Sequence, residues 1–317
     1  MSKVSVIIPA YHCEQYIEQA IQSALEQTIK DVEVIVVDDC STDRTAKVAE
    51  ELSAKDSRVK LLRNPQNLGP SASRNRAIEV AQGEWIAILD ADGWFAKRDR
   101  LEYLLSVANE FEADMVADDQ YLVEGGKDYA WATLFSRKRL RLVSPKAVDL
   151  GDFIKYDLGI IKPLIRGKFI NEHSIRYPNR VRYAEDFQFY MQCLLAGAKL
   201  VVTPYIGYCY RMCRGSLISQ SISLLEQAKK NLEGWLNSAD IKSNDSLTFL
   251  LREKFREVEV NLKYYRVMHP IKHGNIKGGL REALRWSTFI FVFLTRLPRI
   301  VDYRVRRRLV KIYWDVG

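Results

Sequence analysis

The run Glu84-Trp85-Ile86-Ala87-Ile88-Leu89-Asp90-Ala91-Asp92 constrains the fold of this chain more than any other stretch. A continuous apolar run of this length reads as a strand buried on both faces, which is the pattern of a parallel sheet. In open α/β sheets ligands bind beyond the carboxyl ends of the strands, and that is where Asp90 and Asp92 fall. One residue separates them, so their side chains can share a face. Two hard oxygen ligands with room for phosphate oxygens suit Mg²⁺ or Mn²⁺. A polar loop after a strand gives the same pattern, so the surrounding sequence has to decide.

That sequence alternates strands with helices. Val4 to Pro9 reads as a first strand, and Glu14 to Gln27 as a helix with Ile17, Ala20, Ile21, Ala24 and Leu25 on one face. Glu33 to Asp39 is a second buried strand ending in carboxylates, and Ser41-Thr42-Asp43 supplies capping side chains for a helix from about Arg44 to Lys55. Val59 to Leu62 is a third strand and Ser71 to Ala81 a third helix, ahead of the fourth strand at Glu84 to Leu89. Such alternation implies βαβ units, right-handed crossovers and a Rossmann-like, mostly parallel sheet flanked by helices. The turn Pro9-Ala10-Tyr11-His12-Cys13-Glu14 contains no glycine, so the dinucleotide fingerprint is missing, and no P-loop motif is present. Phosphates would then have to be held by a metal and by side chains.

Taken in order and spacing, Val6-Ile7-Ile8-Pro9-Ala10-Tyr11, Val37-Asp38-Asp39-Cys40-Ser41-Thr42-Asp43, Asn67-Leu68-Gly69, Ala72-Ser73-Arg74-Asn75, Gly83-Glu84-Trp85-Ile86 and Leu89-Asp90-Ala91-Asp92 resemble the family 2 glycosyltransferases of the GT-A fold. The resemblance is dense over roughly the first 120 residues and sparse to about residue 220. It implies a catalytic domain over 1–220 and a helical region over 221–317. It further implies that Pro9, Ala10 and Tyr11 line a nucleotide base pocket, that Glu14 and Asp39 meet ribose or base, that Asp90 meets the ribose, and that Asp92 holds Mn²⁺ or Mg²⁺ on the donor diphosphate. Arg74, near the start of its helix, faces the donor phosphates or sugar, or else pairs with a neighbouring acid. Where many relatives carry a third acid, this chain has Gly93-Trp94, and Trp94 either shapes a sugar pocket on the acceptor side or belongs to the core.

In the second half, Val116 to Gln120 reads as a fifth strand and Leu164 to Ile170 as a short helix. Glu185 and Asp186 open an amphipathic helix, where acids complement the helix dipole. The resemblance makes Asp186 the catalytic base and sets Glu185 beside it on the acceptor side. A strand from about Lys199 to Tyr210 leads into a basic loop, in which Arg211, or secondarily Arg214, would bind phosphate.

The implied activity is inverting transfer of a sugar from a nucleotide diphosphate sugar, most simply a UDP-sugar, to a hydroxyl of a saccharide or lipid-linked acceptor. A metal-dependent nucleotidyltransferase and a non-catalytic nucleotide-binding scaffold are the alternatives. The net charge of +8 calls for an anionic partner. An apolar stretch at Leu280 to Leu294 followed by Arg296, Arg299, Arg304, Arg306, Arg307, Arg308 and Lys311, against Asp302 alone, suits an interfacial helix on an anionic membrane or a homo-oligomer contact. No nucleic-acid reading motif accompanies the basic tail. Five scattered cysteines, no leader sequence and no apolar run of about 20 residues fit a cytoplasmic protein, peripheral on the inner face of the cell membrane.

Overall fold

A computed structural model describes residues 3–179, 181, 184–212, 222–286, 306 and 310–313. In chain order the elements begin with strand β1 (Val4–Ala10), helix α1 (Ile17–Leu25), β2 (Val32–Asp38), α2 (Thr45–Lys55), β3 (Val59–Arg63), α3 (Pro70–Val80) and β4 (Trp85–Ile88). Next come β5 (Trp94–Phe95), α4 (Arg100–Glu110), β6 (Met115–Glu124), β7 (Ala130–Thr133), α5 (Leu134–Lys138), β8 (Lys146–Val148) and α6 (Leu150–Lys155). The series closes with β9 (Leu164–Arg166), α7 (Gly167–Glu172), α8 (Glu185–Leu195), β10 (Leu200–Met212), α9 (Ile222–Asn237), α10 (Ala239–Lys242), α11 (Asp245–Lys272) and α12 (Ile276–Arg285).

The strands form one mixed sheet in the order β3-β2-β1-β4-β9-β6-β10-β5, with β7 beside β6 and β8 beside β10. Its first four strands are parallel, as their unbroken apolar runs require, with Val4 of β1 opposite Val32 on one side and Trp85 on the other. Helix α1 buries Ile17, Ala20, Ile21, Ala24 and Leu25 in the main core. Each fully buried Ile or Leu there contributes roughly 1.5–3 kcal/mol.

The short helix expected at Leu164 to Ile170 is instead strand β9 followed by α7. An apolar run this short has no readable period, and an open slot between β4 and β6 decides its conformation. β9 enters antiparallel to both, with Leu164 opposite Ala87 and Ile165 opposite Ile86 and Met115. The consequence is functional. Antiparallel entry brings the residues just before β9 to the carboxyl end of β4, where Asp90 lies.

The chain divides into two compact units, Met1–Met212 with Ile312–Gly317, and Cys213–Lys311. In the first, Ile312 and Ala130 exchange backbone hydrogen bonds of 2.8 Å in each direction. In the second, α9 and α12 pack on α11. Among the described residues no helix is long and apolar enough to cross a membrane, and Cys13, Cys40, Cys193 and Cys209 are free thiols. Arg214 and the stretch from Ser287 to Leu294 lie outside the described residues.

Candidate active site

Beyond β4 the chain turns sharply. The Gly93 amide donates to the Asp90 carbonyl at 3.0 Å, and the Asp90 amide donates to the Tyr208 hydroxyl at 3.1 Å. A Cβ on Gly93 would sit 2.5 Å from that hydroxyl, so the turn can press against β10 only with glycine at this position. The turn aims the Asp90 and Asp92 side chains differently.

Asp90 enters a buried ionic cluster. Its Oδ1 is 2.9 Å from Arg74 Nη2 and its Oδ2 is 2.8 Å from Lys162 Nζ. Arg74 also reaches Glu185 Oε1 at 2.9 Å, and lies 3.4 Å from Asp186 Oδ1. Lys162 donates to Asp186 Oδ2 at 2.7 Å. Both cations are buried, with Arg74 4% and Lys162 3% exposed. Burial opposes the charge on each, but the Asp186 and Asp90 carboxylates beside them raise both above their ordinary values. Burial likewise works against the Asp90 carboxylate, and Lys162 and Arg74 outweigh it, holding that carboxyl below the usual range. One acceptor remains unspent: buried Asp186 Oδ1 makes no hydrogen bond.

Three elements build this cluster. Arg74 projects from α3, whose N-terminus is set by Gly69 at φ 87° and Pro70 in the first turn. Glu185 and Asp186 are the first residues of α8, preceded by Ala184 in the left-handed region at φ 58°. Lys162 arrives through the antiparallel register of β9.

Asp92 stands outside the cluster, and its carboxylate receives no hydrogen bond or ion pair from another described residue. Burial and then Asp90 push it up to about 6. The ionised form is therefore under-compensated, which is the electrostatic environment a divalent cation relieves. Among the described residues no three His, Cys, Asp or Glu side chains converge as a ready cation cage. A cation at Asp92 would thus draw most of its oxygens from elsewhere, as one shared with a diphosphate does.

Arg211 is engaged rather than free. Its guanidinium lies 4.6 Å from the Tyr16 ring centroid and 4.5 Å from that of Trp94. Its Nε donates to the Asp92 carbonyl at 2.8 Å and its Nη2 to Gln19 Oε1 at 2.7 Å. Trp94 is buried in a small cluster with Tyr121, Val123 and Cys209, which places its indole in the core under Arg211.

A second locus forms where β1 and β2 end. Pro9 is partly covered, Ala10 is buried, and Tyr11 stands 48% exposed, stacked on the His12 ring at 4.1 Å. Asp39 is buried and accepts from Asn64 Nδ2 at 2.7 Å and from the Leu68 and Gly69 amides at 2.8 Å each. Three of its roughly four acceptor positions therefore hold the loop that starts α3. Glu14 is exposed and accepts from the Arg44 amide at 2.8 Å, ahead of α2.

The structure thus gathers Arg74, Asp90, Glu185 and Asp186 in direct contact, with Asp92, Trp94 and Arg211 alongside, and Asp39 tied to α3 through Gly69. The residue that sequence reasoning missed is Lys162. Its signal was a lysine inside the apolar run Ile160-Ile161-Lys162-Pro163-Leu164, where an unpaired charge would be costly.

Glycosyl transferase family 2 matches residues 5–167. Among curated proteins, succinoglycan biosynthesis proteins ExoO and ExoU of Rhizobium meliloti are 31% and 32% identical over 220 and 228 residues, covering 68% and 69% of this chain. The chain spans 62% and 64% of their lengths. A UDP-Glc:alpha-D-GlcNAc-diphosphoundecaprenol beta-1,3-glucosyltransferase of Escherichia coli, WfaP, is 27% identical over 278 residues, covering 86% of this chain and 96% of its own. Among solved structures, S. aureus TarS 1-349 in complex with UDP aligns with TM-score 0.63 at 21% identity over 87% of this chain and 89% of that one. A mannosyltransferase of Pyrobaculum calidifontis in complex with GDP-Man and Mn²⁺ aligns with TM-score 0.59 at 16% identity over 96% of this chain and 82% of that one. These structures share the GT-A fold seen here, a central sheet flanked by helices. With more than half its length matched and the strand-end carboxylates in place, the chain belongs to glycosyl transferase family 2.

Proposed function

We propose that this chain transfers a sugar, with inversion, from a UDP-sugar to a hydroxyl of a lipid-linked or polysaccharide acceptor. The observation that carries the reading is Asp186 Oδ1 at the head of α8, which makes no hydrogen bond, lies 3.4 Å from Arg74 Nη1, and is held beside Asp90 by Lys162 and Arg74. A fixed carboxylate oxygen with no hydrogen bond is what a general base offers an incoming hydroxyl. Support for the donor comes from relatives: WfaP is named for UDP-Glc, and TarS has been solved with UDP-GlcNAc. Support for the acceptor comes from WfaP, named for a diphosphoundecaprenol substrate, and from the succinoglycan proteins.

In this reading Tyr11 offers its exposed ring to the base, with Pro9 and Ala10 as the pocket floor. Asp39 shapes the wall and keeps one acceptor position for base or ribose, and Glu14 lies at the rim. Asp90 faces the ribose while locked by two cations. Asp92 would hold Mn²⁺ or Mg²⁺, which would supply charge neutralisation for the leaving diphosphate. Arg211 keeps Asp92 in place through its carbonyl and adds positive charge near the phosphates. Asp186 takes the acceptor proton. The acceptor oxygen forms its bond to the anomeric carbon as the bond from that carbon to the diphosphate oxygen breaks, and UDP departs with the electron pair.

The test is release of UDP from UDP-glucose and UDP-N-acetylglucosamine with undecaprenyl-diphosphate-linked N-acetylglucosamine as acceptor. Acceptor-dependent release supports the reading. Release of pyrophosphate from a nucleoside triphosphate, or binding of nucleotide without turnover on any acceptor, would replace it with a nucleotidyltransferase or a scaffold.

A further inference from the structure

Helix α12 carries a row of exposed apolar side chains. Ile276, Leu280 and Leu284 are spaced by four residues and so line up along one face. They are 59%, 56% and 87% exposed. The helix is anchored through Gly279, which is buried so tightly that a Cβ would lie 2.3 Å from Ile271 Cγ1 and 2.8 Å from the Val267 carbonyl of α11. The anchoring leaves the apolar row turned outward.

Charge is arranged around that row. Lys277, Arg281 and Arg285 each follow a row residue by one position, so three exposed cations form a parallel row along one flank. Glu282, the helix's one acid, lies roughly 160° round the helix from the middle of the apolar row and pairs with Arg285 at 2.7 Å. The sequence beyond α12 has the same sign, with seven cations against Asp302 between residues 296 and 311.

We propose that α12 docks on an anionic lipid bilayer. The aliphatic row enters the boundary between headgroups and acyl chains, and the flanking cations lie at the level of the lipid phosphates, their stems covering apolar surface and their heads in water. The charge pattern favours lipid over a second copy of the chain, because antiparallel pairing of two α12 helices would set their cationic rows side by side. The inference does not rest on the sugar-transfer reading, since vesicle binding is measured without substrate and α12 belongs to the unit that holds none of the candidate active-site residues described in the structure.

The test is sedimentation of the full chain with vesicles of phosphatidylcholine, alone or with a third of phosphatidylglycerol. Two variants accompany it, Leu280→Ser with Leu284→Ser, and Lys277→Gln with Arg281→Gln. All four side chains are exposed, so melting temperatures should match the parent's. The parent should bind the anionic vesicles and remain in solution with the neutral ones. Removing two cations should weaken binding about 30-fold, from about 1 kcal/mol for each cation near such a surface, and the serine variant should lose at least about tenfold. Parent protein that ignores lipid composition, or variants that bind like the parent, would overturn the proposal. So would a serine variant that changes only the oligomeric state in velocity sedimentation, an outcome that assigns the face to a second copy.

Discussion

At Lys162 one ammonium group, buried beside Arg74, is shared between the two carboxylates on which the proposed chemistry depends. Replacing it by methionine keeps the volume but leaves Asp90 and Asp186 with Arg74 as their remaining cation. Breaking a buried pair in this way costs about 3–5 kcal/mol. Lys162→Met should therefore lower the urea midpoint and abolish transfer, while Lys162→Arg should regain part of both; a methionine variant as stable and active as the parent would deny the lysine its positioning role. Asp186→Asn is the complementary change. It removes the base and keeps the shape, so kcat should fall by about 10²–10⁴-fold while UDP affinity stays within about twofold. The acids of this site were legible in sequence because each sits in a local pattern, a strand end or a helix start. Lys162 was not, because its role depends on an antiparallel register between segments some eighty residues apart.

At the scale of elements, β6 shows what the fold does to a carboxyl that meets no cation among the described residues. Asp119 is buried in that strand and accepts from the Phe135 amide at 2.8 Å, and burial pushes it up to about 6. A folded value above the unfolded one of about 3.9 gives stability that is complete below pH 4 and lost as the pH rises through 6. The loss is on the order of 3 kcal/mol. Urea unfolding at pH 4.5 and 7.5 should show that difference shrinking in Asp119→Asn, whose amide oxygen can still accept from Phe135; an unchanged difference would mean that Asp119 is ionised at no cost. The parallel half of the sheet was legible from buried runs bounded by turn residues. The antiparallel half was less so: β5, β7, β8 and β9 have two to four residues each, too few for a period, and their places are set by the strands they meet. The loop that opens α3 belongs to the same class. Asp39→Ala would release three donors, destabilising the unit by about 1–3 kcal/mol and weakening UDP binding through the misplaced α3.

Across the whole molecule, carboxylates gather at the strand ends of the first unit, and cations line helix α12 of the second. An excess of acid at the active centre repels a diphosphate unless a divalent cation stands between them, so donor binding turns on Asp92. The most direct measurement is calorimetric titration of UDP into the parent and into Asp92→Ala, with and without Mn²⁺. UDP binding that requires Mn²⁺ in the parent and weakens by at least about tenfold in the variant is the predicted result. UDP binding equally well without the metal, or no binding under any condition, would contradict it.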